Sequence, residues 1–187
     1  MHNTLREAIR LRRMGFAIHW LQPRSKVPVA FGWADAPVMN VQALTTSFRP
    51  GFNIGFRPGK WSIVEGSEIC VLDVDLRGGS AYAEEAYAAA ATMLKGKFAP
   101  NVLSGSGPGR HQYLAFPIGK SPAGAATTLR QSDIWIDSAG QVCAAGTKDA
   151  RPAWLIELLS TGKNVVMPPS IHPDTLKPYL WANECPP

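Results

Sequence analysis

Residues 68–76, EICVLDVDL, constrain the fold more than any other part of the chain. Ile69, Val71 and Val74 are β-branched and the run stops at Gly78-Gly79, so a strand is the conformation that suits it. Successive side chains on a strand point to opposite faces. Val71 therefore shares a face with Asp73 and Asp75, while Leu72, Val74 and Leu76 take the other. A strand apolar on both faces belongs inside a sheet, whereas at an edge both aspartates would simply be solvated. The two carboxylates then leave the strand side by side, on Cα atoms roughly 6.5–7 Å apart. Aimed together they repel unless cations or donors lie between them. Hard divalent ions prefer such oxygen ligands, and a pair of ions can serve an in-line phosphoryl displacement. Glycosyltransferases and nucleases also carry Asp-x-Asp, so the pair indicates a chemistry and not yet a reaction.

The rest of the chain reads as α+β. NTLREAIRLRRM is helical, with a Thr4–Glu7 capping-box pattern at its start, Leu5, Ala8, Ile9 and Arg12 roughly on one face, and Gly15 at its end. Strands are expected at 16–21 and 52–56, the first followed by a loop holding Pro23 and Pro28. Ser80 is placed to cap an Ala-rich helix that runs to about Lys95, ahead of Gly96. Further strands are expected near 101–104, 111–116, 134–137, 154–158 and 164–167. Few helices and many strands suggest helices covering a central sheet, and the length suits one domain spanning 1–187.

Charge and cysteine usage narrow the partners. Nineteen Lys and Arg against fourteen Asp and Glu leave a net charge of +5, a modest excess that fits nucleic acid or nucleotide. The basic residues are scattered, apart from Arg10, Arg12 and Arg13. Cys70, Cys143 and Cys185 are too widely spaced for a disulfide framework or a paired zinc site, so no zinc is expected. A reducing, cytoplasmic setting is expected, with no membrane partner, because the N-terminus carries no apolar run of leader or spanning length.

Two later segments carry further candidates. SGSGPGRHQYLAF passes from a Ser/Gly loop into an apolar strand, and Gly105, Gly107 and Gly109 would let backbone amides turn toward an anion. Ser104, Ser106, Arg110 and His111 add donors suited to phosphates. No Lys-Ser/Thr follows the glycines, so this is not a P-loop. Near the C-terminus, Glu157 interrupts an apolar strand, and Ser170 and His172 follow Pro168-Pro169 on a constrained loop. A third carboxylate could complete a cation site with Asp73 and Asp75; Glu157 and Asp137 are rivals for that place, and spacing does not decide between them. His172 could bind phosphate or hydrogen-bond to the loop backbone.

In combination, SKVPVAFGW (Lys26, Pro28, Trp33), FNIGFRPGK (Asn53, Gly55, Gly59), VLDVD, SGSGPGRH and TGKNVVMPPSIHPDTLKPYLW resemble the bifunctional primase/polymerase domain of plasmids, phages and related mobile elements. That domain is a branch of the archaeo-eukaryotic primase superfamily, and the resemblance runs from about residue 15 to 182. It implies a template-directed nucleotidyltransferase with an RRM-like catalytic sheet flanked by helices. It also implies Asp73 and Asp75 as ligands of two Mg²⁺ or Mn²⁺ ions, with Glu157 as the third acid. His111 would contact the phosphates of an incoming nucleoside triphosphate, aided by Ser106 and Arg110. Lys26, Asn53 and His172 would be nucleotide-site neighbours. Ser106 lies five residues before His111, a longer spacing than is common in the family, which leaves open which serine acts. The expected partners are a single-stranded DNA template, nucleoside triphosphates and a helicase region or partner, whether the chain is a stand-alone domain or the N-terminal part of a longer replication protein. Two other readings remain: a non-catalytic nucleic-acid-binding module of a replication initiator, and a metal-dependent nuclease.

Overall fold

The computed structural model describes residues 2–183; Cys185 lies outside them. In chain order the elements are α1 (Asn3–Met14), β1 (Ala17–Leu21), α2 (Val41–Ser47), β2 (Asn53–Arg57), β3 (Gly59–Val64), β4 (Ser67–Leu76), a 3₁₀ turn (Gly79–Tyr82), α3 (Ala83–Met93), β5 (Val102–Leu103), β6 (Arg110–Pro117), β7 (Ala126–Gln131), β8 (Trp135–Ile136), β9 (Val142–Cys143), β10 (Arg151–Pro152), β11 (Trp154–Leu159), β12 (Val165–Met167) and β13 (Leu180–Trp181). The fold is α+β, with every paired strand antiparallel.

The main sheet has the order β13-β5-β6-β4-β11-β7, and β3 pairs the start of β4. β4 is central, as its two apolar faces require. It pairs with β6 along one side and with β11 and β3 along the other. On one face Leu72, Val74 and Leu76 pack with Trp154 and Ile156 of β11 beneath Ala86, Ala89 and Ala90 of α3. On the other, Ile69, Val71 and Leu159 share a core with Phe16, Ile18, Ile54, Phe56 and the α1 residues Ala8 and Leu11. A helix thus covers one face, while the other is covered largely by a second sheet, β1-β2-β12. A third small sheet, β10-β8-β9, is formed within residues 134–152.

Several local expectations change once tertiary contacts are present. The Thr4–Glu7 capping box does not form: His2 is the N-cap and no side chain caps the helix. Glu7 instead binds Arg10 at 2.6 Å and accepts from Trp181 Nε1 at 2.9 Å. Gly15 does end α1, in the left-handed region at φ 113°. Ser80 does not cap α3 but lies in the 3₁₀ turn before it. Among the described residues no helix is long and apolar enough to cross a membrane.

His19 of β1 is a buried base with a measurable consequence. It is 7% exposed and stacks on Trp33 with ring centroids 5.3 Å apart. An added Cβ at Gly55, its partner on β2, would collide with His19 Nε2, Asn164 Oδ1 and the Leu21 side chain. Burial first, then the Arg57 guanidinium, pulls the His19 pKa down to about 4. A base whose folded pKa is depressed stabilises the fold above its unfolded pKa and loses that contribution as the pH falls through the window between the two. Urea denaturation is expected to show this single group costing about 2 kcal/mol between about pH 7.5 and pH 5. His19→Gln should flatten that part of the slope, and an unchanged slope would contradict the assignment.

Candidate active site

The register of the main sheet lines up residues that are far apart in sequence. Asp73 of β4 is opposite His111 of β6 on one side and Glu157 of β11 on the other. Directly opposed residues on an antiparallel sheet point to the same face. His111, Asp73 and Glu157 therefore form one row across three strands, on the face that continues the Val71 core. Asp75 follows on that face two residues further along β4. The pairing of β11 with β7 shifts register between Ile156 and Glu157, an irregularity of the kind that re-aims a side chain.

Beyond Val71 the second sheet gives way to a small polar cavity of about 100 Å³. It is lined by Lys26, Asp73, Val74, Asp75, Ser104, Ser106, Gly109, His111, His172 and Tyr179. Four segments meet there: the loop after β1, the end of β4, the Ser/Gly loop before β6, and the loop after β12. Glu157 stands beside Asp73 but does not line this cavity. Asp137, the rival third acid, does not join the row. It lies at the end of β8, where its Oδ1 accepts from the amides of Ala139 and Gln141, both at 2.9 Å. Among the described residues no three His, Cys, Asp or Glu side chains form a ready-made metal cluster.

Burial and like charge dominate the electrostatics. Desolvation, then the Asp75 carboxylate, raises the Asp73 pKa to about 7; Lys26 and Arg77 oppose the shift and Glu157 adds to it. Asp75 is held by Arg77 Nε at 3.0 Å. Desolvation and then Lys26 lower the His111 pKa to about 4, so its imidazole is neutral at physiological pH. His111 Nε2 lies 3.5 Å from Asp73 Oδ1, and its buried Nδ1 has no hydrogen-bond partner. The same two causes lower the His172 pKa.

Of the candidates named from sequence, Asp73, Asp75, His111, Ser106, Lys26 and His172 meet at the cavity. Arg110 does not. As the neighbour of His111 on a strand it faces the α3 side, where its guanidinium is 5.4 Å from the Tyr87 ring centroid. Its Nη1 donates to the carbonyls of Gly107 and Gly109 at 2.7 and 2.8 Å, bracing the Ser/Gly loop from behind. The amides of Ser106 and Gly107 also bond inward, to Ser104 Oγ and Ser104 O. The loop therefore turns side-chain hydroxyls to the cavity rather than these amides. Glycine at 105 is needed because a Cβ would lie 2.5 Å from Lys177 O and 2.6 Å from His172 Cβ, whereas a Cβ at 109 would crowd the Ser104 and Ser106 side chains at 3.0 and 2.8 Å.

Asn53 is likewise not a lining residue. It is 2% exposed, and its Nδ2 donates to Ser25 O at 3.0 Å and Ile171 O at 2.8 Å. Its Oδ1 accepts from the Ile171 amide at 2.9 Å. Asn53 thus ties together the backbones just before Lys26 and just before His172. Asn164 adds a second tie, donating to Lys26 O at 2.8 Å.

Sequence reasoning passed over Tyr179 and Arg77. Tyr179 is 2% exposed, with its ring centroid 6.0 Å from that of His111 and 5.8 Å from that of His172. Burial raises its pKa to about 12, while a bond with Ser104 opposes the shift. Arg77 could have been found as the residue two beyond Asp75 on the same face. Tyr179 had no comparable local signal, because a loop from the far end of the chain delivers it.

The family model for the N-terminal domain of bifunctional DNA primases/polymerases matches residues 8–187. No curated protein matches the chain.

Proposed function

The chain belongs to the bifunctional DNA primase/polymerase family, whose activity is DNA priming and polymerisation in general, and we propose that it joins nucleotides on a single-stranded DNA template with divalent cations held by Asp73 and Asp75. The reading rests above all on one observation. The polar cavity at the end of the central strand sets two carboxylates against a lysine, hydroxyls and two imidazoles, of which His111 is neutral.

The donor set fits a pair of Mg²⁺ or Mn²⁺ ions. Carboxylate oxygens are the ligands such cations prefer, and Glu157 stands next to Asp73 as a third. The pKa of Asp73 supports the fit, since a carboxylate crowded by two others and short of solvent gains most from a cation. Bound there, the ions would neutralise the triphosphate and acidify the attacking 3′-hydroxyl. The chain's own groups have separate tasks. Lys26 supplies positive charge to the phosphates from the cavity wall. His111, being neutral, acts as a hydrogen-bond donor rather than a cation, with Tyr179 packed against it and against His172. The hydroxyls of Ser104 and Ser106 complete the donors on the far side. Arg110 braces the loop that presents them.

The test is synthesis itself. The chain is incubated with single-stranded DNA, labelled nucleoside triphosphates and Mg²⁺ or Mn²⁺, with a helicase partner supplied in a parallel reaction. Metal-dependent labelled oligomers are expected, and chelation should abolish them. Degradation of the DNA without incorporation would favour a nuclease instead.

Asn53 provides a prediction about positioning. Asn53→Ala leaves the Ser25 and Ile171 backbone groups unpaired and should cost about 1–3 kcal/mol in urea denaturation. Because it loosens the two walls carrying Lys26 and His172, it should raise KM for the nucleotide more than it lowers kcat. Unchanged KM at full occupancy of the folded state would remove Asn53 from the account.

A further inference from the structure

The loop between β1 and α2 displays an apolar surface where the fold does not require one. Val27 is 61% exposed, Val29 39% and Phe31 wholly exposed, three large apolar side chains within five positions. The loop is well anchored. Val29 N donates to Trp20 O at 2.9 Å, and Gln22 N to Val27 O at 2.8 Å. The buried Arg57 guanidinium donates through Nη1 to the carbonyls of Trp33, Ala34 and Ala36, at 3.1, 3.1 and 2.7 Å. Arg57 itself stacks on Trp61 at 4.3 Å, and Trp33 stacks on His19. A burial-driven fold holds this loop firmly yet leaves its apolar tip in water.

Two observations indicate what covers it. The loop reaches the candidate active site, because Lys26 lines the cavity and Val27 is the next residue along the chain. The part of the loop nearest the cavity is also basic: Arg24 and Lys26 are exposed, and the one acid between Gln22 and Asn40 is Asp35, beyond the apolar tip. An occupant that is flat and apolar on one side and anionic on the other matches both features. Single-stranded nucleic acid has that chemistry, with bases for Phe31 and phosphates for Arg24.

We propose that this loop is the stacking platform for the single-stranded DNA that approaches the cavity, with Phe31 taking a base face and Val27 and Val29 widening the apolar floor. The proposal rests on the polymerase reading given above and names the path of the strand at that site. Phe31 is the wholly exposed tip of the platform and is not among the residues that line the cavity.

The experiment measures binding of a fluorescein-labelled oligothymidylate to the full chain by anisotropy, without nucleotide, for the wild type, Phe31→Ala, Phe31→Trp and Asp73→Asn. Phe31→Ala should weaken binding about tenfold without changing Tm, Phe31→Trp should keep it, and Asp73→Asn should bind at least as well as the wild type. Equal affinities for the wild type and Phe31→Ala, or no oligonucleotide binding by the wild type, would overturn the platform. Sedimentation adds a further check. A wild-type dimer that Phe31→Ala dissociates, with DNA binding unchanged, would make the loop an interface between copies and also overturn the proposal. Failure of the polymerase reading looks different: no nucleotide incorporation by the wild type, whatever Phe31→Ala does to affinity.

Discussion

Asp73→Asn is expected to end primer synthesis and, in the absence of divalent cations, to leave a more stable protein. Asparagine keeps the shape and the acceptor oxygen but removes the charge. Loss of an outer partner of a metal ligand already costs about 10–100-fold in activity, so loss of a ligand should exceed about 100-fold. Asp75→Asn should act in the same direction. The stability effect follows from the same crowding. Burial and the neighbouring Asp75 raise the pKa of Asp73 to about 7, above the 3.8 of a free carboxyl. The folded state then holds a proton that the unfolded chain has released, so stability falls as the pH rises from about 4 to 7 and stays reduced above. Asparagine lacks that proton equilibrium. At about pH 8 the cation-free variant should melt roughly 2–8 °C above the wild type, and its stability should lose the slope between pH 4 and 7. Thermal melts in chelator, with and without added Mg²⁺, give the readout. Retained synthesis, or a variant less stable than the wild type in chelator, would each contradict the placement of Asp73 as a cation ligand.

His111→Ala should lower kcat/KM for the nucleotide by about 10- to 150-fold, the range for losing a hydrogen bond to a charged group. The residue is poorly accounted for by stability alone. It is 8% exposed, its Nδ1 lacks a partner, and its Nε2 stands 3.5 Å from Asp73, long for a hydrogen bond. A buried polar group so placed costs stability unless a ligand completes it. Since burial holds its pKa near 4, the imidazole stays neutral above that value. The rate between about pH 6 and 8 should therefore show no inflection removed by His111→Gln. Steady-state incorporation of a labelled nucleotide across that range decides the point. Rate constants within twofold of the wild type for His111→Ala would exclude contact with the nucleotide.

The legible part of the site was the part governed by strand periodicity. Asp73 and Asp75 had to share a face, and the apolar residues around them had to be central, because a strand alternates every residue. The same rule separates Arg110 from His111: adjacent on β6, they face opposite sides, one behind the Ser/Gly loop and one in the cavity. Grouping both as phosphate ligands overlooked that alternation. The choice between Glu157 and Asp137 needed the pairing register, which places Glu157 opposite Asp73 and leaves Asp137 in the turn after β8 of a separate small sheet. Asn53 had the right neighbourhood but another task, tying two loops instead of facing the cavity.

Local pattern by itself determined the central strand, its paired aspartates, the Ala-rich helix and the glycine at the end of α1, since each depends on backbone geometry within a few residues. Tertiary structure decided which side chains meet. It turned Glu7 from a helix cap to Trp181, brought Tyr179 between two histidines, and set Lys26 on the same cavity as Asp73. Contacts between residues far apart in the chain depend on which strands pair and in what register. The packing of the whole sheet settles that register, and no short segment encodes it alone.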